Sequence, residues 1–180
     1  MNSEEIKKWK EKYNECRTDE DREIEEKLTK RITMNKKVTM DDLKEIVRWK
    51  LALFPPSEKK ILKDVENNNP EKVERVSEEA LKCSTDKEKL EKLMKIKGVG
   101  PAVASTILTF SAPDQYGIFD IHAFREMFDG VDAELYPVLK YLEQIKKIKK
   151  ETGFSGRDID KAYFQKNFVD CPKEKIRKKQ

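Results

Sequence analysis

The chain is predicted to be all-α, on three observations. Apolar residues recur at helical spacing along nearly its whole length. No stretch alternates apolar and polar residues long enough to make a strand. Helix-starting residues stand just ahead of several apolar stripes. About ten helices follow from this pattern.

Ile6, Trp9, Tyr13 and Cys16 give a first stripe, and Ile24, Leu28 and Ile32 a second; each needs a partner face. Thr39-Met40-Asp41-Asp42 reads as a capping box. It opens a helix whose stripes, Leu43-Ile46-Val47 and Ile46-Trp49-Leu53, form a wide apolar face ending at Pro55-Pro56, so this helix should be largely buried. Trp49 stands between Arg48 and Lys50, and the wide face favours a core position over base stacking. Ile61, Leu62 and Val65 mark the next helix, closed by Asn67-Asn68-Asn69. Pro70 then suits the first turn of a helix carrying Val73, Val76 and Ala80. Thr85 with Glu88 caps the helix of Leu90, Leu93 and Met94, and Val103, Ala104, Ile107 and Leu108 mark another. Leu135, Val138, Leu139, Leu142 and Ile145 form a long amphipathic helix. Ser155 to Asp158 caps a last one with Ile159, Ala162 and Tyr163.

At 180 residues the chain is long enough to bury a core without disulfides or metal, as one domain or two small lobes. Charged residues make up 41% of it, yet the net charge is only +4, so overall charge does not indicate a nucleic-acid partner. Local runs carry more: Lys146-Lys147-Ile148-Lys149-Lys150 and Lys173-Glu174-Lys175-Ile176-Arg177-Lys178-Lys179 read as solvated faces or as phosphate neighbours. Cys16, Cys83 and Cys171, odd in number and dispersed, argue for a reducing interior and against a disulfide framework. With no apolar run able to cross a bilayer and no export signal, a cytoplasmic monomer without membrane contact is expected. No phosphate loop or dinucleotide fingerprint is present, so nucleotide cofactors are not indicated.

The densest information lies between Leu93 and Phe128. Lys97-Gly98-Val99-Gly100-Pro101 joins two amphipathic helices as a helix-hairpin-helix. Gly98 and Gly100 are expected to adopt backbone conformations closed to other residues and to let a ligand approach bare backbone. Free amides at the start of the following helix, with Pro101 where none is needed, suit phosphate oxygens. Small residues Ala102, Ala104 and Ser105 allow close packing of that helix. Twenty positions after Gly100 comes Phe119-Asp120-Ile121-His122-Ala123-Phe124-Arg125. Asp120 there is either a helix N-cap or an active-site carboxylate, roles that are not exclusive.

The paired motifs resemble the helix-hairpin-helix DNA glycosylase superfamily. Its endonuclease III-like members carry Leu-Pro-Gly-Val-Gly and, about this far downstream, Val-Asp-x-His. The matching residues here are Ile96-Lys97-Gly98-Val99-Gly100 and Phe119-Asp120-Ile121-His122, within a fifth of the chain. The resemblance implies a lobe of terminal helices (about 1–38 and 131–180), a middle lobe (about 39–130), and an active site in a cleft between them. It implies duplex DNA as partner, with Lys95, Lys97, Gly98, Val99, Gly100, Ala102, His122 and Arg125 as contacts. It also implies a Na⁺ or K⁺ ion held by the backbone carbonyls of Met94, Ile96 and Val99. Asp120 would stabilise an oxocarbenium-like sugar and direct water at the N-glycosidic bond of a flipped damaged or mismatched base.

Two departures qualify the resemblance. Members that also cleave the backbone usually carry a lysine where this chain has Ala102, which excludes Schiff-base chemistry at that position. Many members hold an iron-sulfur cluster on four closely spaced cysteines, a pattern these three cysteines do not make, so no cluster is expected.

Several residues keep two readings. His122, the only histidine, excludes a zinc site built from histidines and reads as a packing or hydrogen-bonding residue before a proton shuttle. Arg125 suits phosphate or a neighbouring carboxylate. Tyr116 and Phe119 suit either an extruded base or the core. The functional expectation is a monofunctional DNA glycosylase; the alternatives are a non-catalytic helix-hairpin-helix DNA-binding module and a helical protein-interaction domain.

Overall fold

A computed structural model of the chain describes residues 1–52, 55–129 and 137–168. Among them there are ten helices and no strand. In order they are α1 (Ser3–Cys16), α2 (Asp19–Asn35), α3 (Met40–Leu51), α4 (Pro55–Glu66), α5 (Pro70–Leu81), α6 (Asp86–Leu93), α7 (Pro101–Ser111), α8 (Ile121–Met127), α9 (Pro137–Thr152) and α10 (Gly156–Asn167). Leu53, Leu135, Cys171 and the basic run 173–179 lie outside the described residues.

Local chemistry starts these helices where the sequence placed the starts. Thr39 and Asp42 bond each other's backbone at α3, and Thr85 and Glu88 do the same at α6, each satisfying amides the first turn leaves without partners. Asn69 caps α5 with Pro70 in its first turn, and Ser155 caps α10.

The chain gathers into two compact units: Met1–Glu23 with Pro113–Gln180, and Ile24–Ala112. The aspartate segment belongs to the first and the glycine hairpin to the second.

In the second unit α7 is buried from Val103 through Ser111. Its hydroxyls turn back on their own helix: Ser105 and Thr106 donate to Ala102 O at 2.9 and 2.8 Å, Thr109 to Ser105 O and Ser111 to Leu108 O at 2.8 Å. No buried hydroxyl of this helix therefore needs an outside partner. α3 packs against α4, α5 and α7, with Trp49 buried edge-on to Phe110 at 5.3 Å. α3 ends at Leu51, and Pro55 opens α4 instead of terminating α3. Asp42, only 4% exposed, is paired with Arg31 at 2.7 Å, and Arg31 also reaches Glu45 at 2.6 Å. Hydrogen bonding to Glu45 leads the causes that raise the Arg31 pKa.

In the first unit α10 is the hub, packed against α1, α8 and α9. Its buried Arg157 pairs with Asp160 and donates to the Tyr13 hydroxyl of α1 at 2.9 Å. Ile6, Tyr141, Leu142, Ile145, Ile159 and Ala162 fill the space between these helices. Of the basic run on α9, Lys146 lies over the Tyr116 ring at 5.2 Å and Lys149 pairs with Asp114.

Cys16 is buried at the end of α1, and Cys83 is free. Among the described residues no helix is long and apolar enough to cross a membrane.

Candidate nucleic-acid interface and aspartate site

The hairpin is built by a run of tight backbone bonds after α6. Met94 N donates to Leu90 O at 2.9 Å, Lys95 N to Lys92 O at 3.0 Å, Ile96 N to Leu93 O at 3.1 Å and Val99 N to Ile96 O at 3.0 Å. Ile96 and Val99 are buried at 2% and 5% exposure, while Lys95, Lys97 and Gly100 face solvent. Apolar anchors thus point inward and two cations outward along one short turn.

The two glycines differ. Gly98 has φ +82°, where L side chains are strained, and a Cβ there would stand 2.7 Å from Val65 Cγ2 and 3.0 Å from Ile61 O of α4. Gly100 has φ −92° and ψ −177°, extended backbone open to any residue, and a Cβ there would meet nothing within 4 Å. The expectation that both glycines occupy restricted conformations is corrected: only Gly98 does. Nothing in the protein's own packing requires Gly100.

Gly100 is the N-cap of α7 and offers no capping side chain. Pro101 has no amide, and Ala104 N closes the first turn on Gly100 O at 2.8 Å. Helix geometry leaves the amides of Ala102 and Val103 without intrahelical acceptors. A concavity of about 500 Å³ opens beside this helix start, lined by Ser57, Lys60, Ile61 and Asp64 of α4, by Met94, and by Ile96 through Gly100. Met94, Ile96 and Val99, the expected carbonyl ligands for a monovalent cation, all line it, and the Ile96 carbonyl also accepts the Val99 amide.

The aspartate is positioned by contacts the sequence did not announce. Asp114 O and Pro113 O accept the first amides of α10, from Gly156 at 2.9 Å and Arg157 at 3.0 Å. That approach is close: a Cβ on Gly156 would lie 2.6 Å from Tyr116 O, and one on Gly117 2.9 Å from Asp160 Cβ. Asp160, 2% exposed, then accepts the Ile118 amide at 2.7 Å. Two residues later Asp120 caps α8, its Oδ1 accepting from His122 N at 2.9 Å, and its side chain is half-buried. The N-cap reading is therefore shown, and it leaves a carboxylate near the surface.

Around Asp120 the aromatics are packed. Phe119 is half-buried, edge-on to Phe124 at 5.8 Å and to Tyr141 at 5.6 Å. Tyr116 is 3% exposed. His122 Nδ1 lies 3.0 Å from Asn167 Oδ1, and its ring meets Phe164 and Phe168 edge-on. Arg125 is exposed. The Tyr141 hydroxyl is buried and has no hydrogen-bond partner among the described residues; burial first, then the charges of Asp160 and Asp120, push its pKa well above the ordinary tyrosine value.

Sequence reading thus missed Tyr141, Asp160, Arg157, Gly117, Gly156 and Asn68. The two glycines outside any turn motif were the available signal for close backbone approach. Among the described residues no cluster of histidine, cysteine and carboxylate side chains is arranged to hold a metal ion. No family model matches the chain, and no curated protein or solved structure matches it.

Proposed function

We propose that the chain is a helix-hairpin-helix DNA glycosylase-like protein that grips duplex DNA through the 97–102 backbone and excises a flipped base with Asp120. The observation that carries the reading is Gly100. A residue without a side chain, where neither backbone conformation nor packing needs one, fits a position that an outside group must approach closely. The amides beside it, the dipole of α7, and exposed Lys95 and Lys97 suit a phosphodiester oxygen.

The chemistry follows from the residues. Base release develops positive charge on the sugar, and the half-buried Asp120 carboxylate stabilises that charge and directs water. The nucleotide leaves the stack first, at a cost of a few kcal/mol, while the hairpin holds the strand. Ala102 supplies no amine for a Schiff base at that position, so water is taken as the nucleophile and strand breaks are expected only after alkali, unless a lysine elsewhere reaches the sugar.

Duplexes carrying uracil, thymine mismatches, oxidised purines, oxidised pyrimidines or alkylated purines are the test, assayed for strand breaks with and without alkali. Alkali-dependent breaks by the wild type that vanish in Asp120→Asn are expected. Base release unchanged in that variant would remove Asp120 from catalysis.

A second reading, a DNA-binding module without chemistry, is favoured by one observation: Asp120 Oδ1 already serves the α8 cap. It predicts salt-sensitive duplex binding with no product on any of these substrates.

A further inference from the structure

We infer that Asn68 is the positioning residue of the hairpin, a splint that holds the Lys97 peptide so that the backbone from Gly98 to Ala102 is presented to the DNA strand. This rests on the reading of the hairpin as a DNA-backbone contact. Asn68 follows α4, and its side-chain amide spans to a residue 29 positions away. Oδ1 accepts from Lys97 N at 3.0 Å, and Nδ2 donates to Lys97 O at 2.9 Å, so one side chain pairs with both polar groups of one residue. Nδ2 also donates to Val65 O at 2.8 Å and approaches Asp64 O at 3.3 Å, carbonyls at the end of α4 that also accept the backbone amides of Asn68 and Asn67.

The orientation of this amide is set by its neighbours. Lys97 N only donates and the three carbonyls only accept, so Oδ1 and Nδ2 cannot be exchanged. Aspartate here would have no donor for the carbonyls, and serine would be too short to bridge both groups. A Cβ on Gly98 would run into Val65 and Ile61, so the turn lies close against the same helix. α4 therefore fixes the hairpin from outside the α6–α7 pair, and the concavity lined by Lys60 and Lys97 exists because the turn is held there.

The test uses the full chain and a short undamaged duplex. In Asn68→Ala, exchange of the Lys97 amide proton should quicken, and duplex affinity well below the melting temperature should fall about ten-fold, a loss of the size expected when one hydrogen-bonded geometry is released. The dependence of binding on salt should keep its slope, because no cation is removed. A merely structural role would lower the melting temperature and leave the affinity of the folded protein intact. If Asn68→Ala does not fold, Asn68→Ser replaces it under the same criteria, since its hydroxyl still reaches the end of α4. Wild-type binding with unchanged affinity in the variant overturns the splint and spares the hairpin reading. No duplex binding by the wild type overturns the hairpin reading and the splint with it.

Discussion

One chemical change made at two positions of the hairpin should give opposite answers in stability and function. At Gly98, alanine must adopt φ +82°, which costs about 1–2 kcal/mol. Its Cβ would sit 2.7 Å from Val65 Cγ2 and 3.0 Å from Ile61 O, and crowding of this kind costs about 1–3 kcal/mol. Reduced freedom of the unfolded chain returns about 0.4–1 kcal/mol. The net loss for Gly98→Ala is about 2–4 kcal/mol, or a fall in Tm of roughly 5–15 °C for a chain of this size.

At Gly100 the same gain in the unfolded state applies and the Cβ meets nothing. Against it stands the poorer N-cap quality of alanine, about 0.5–1 kcal/mol. The two offset, so Gly100→Ala should stay within about 0.5 kcal/mol of wild type. On the proposed hairpin–DNA contact its duplex affinity should nevertheless fall, because the added methyl would stand where the strand is proposed to approach. Thermal and urea unfolding measure the first pair of effects, and duplex titration at fixed salt the second. Equal losses of stability at the two positions would refute the packing argument, and wild-type duplex affinity in Gly100→Ala would refute the functional one.

Other outcomes follow from the first unit and the caps. Tyr141→Phe removes a buried hydroxyl with no partner among the described residues and should stabilise the protein by about 1 kcal/mol in urea unfolding; a loss would show that the hydroxyl is satisfied. The raised Tyr141 pKa means that its neutral form supports the fold below the unfolded value of about 10, and that this support is lost as pH rises through the folded value. Tyr141→Phe should therefore flatten the alkaline limb of the stability curve. Asp160→Ala removes the carboxylate that pairs with the buried Arg157 guanidinium and accepts the Ile118 amide, and should cost about 3–5 kcal/mol, read by denaturant midpoint. Hydrogen bonds from the Thr85 hydroxyl and then its amide hold the Glu88 carboxyl below its ordinary value. Its contribution is present above the unfolded pKa and lost as pH falls through the folded one, so Glu88→Gln should weaken the acid dependence of α6 helicity.

The sequence by itself determined the helices, several of their starts and most of the core faces. Thr39 with Asp42, Thr85 with Glu88, Asn69 with Pro70, and Ser155 act within one turn of their own helix, so the residues that form each cap are neighbours in the chain. Asp120 as an N-cap was legible for the same reason. Tertiary structure decided what long-range contact decides. Gly98 is visible in the sequence, but the need for it comes from α4. Asn68 read as a helix stop, yet its amide pairs with Lys97, and Asp160 reaches Ile118 across 42 positions. Periodicity and capping report only the next few residues, whereas a side chain's hydrogen-bond partner across the fold depends on how whole helices pack.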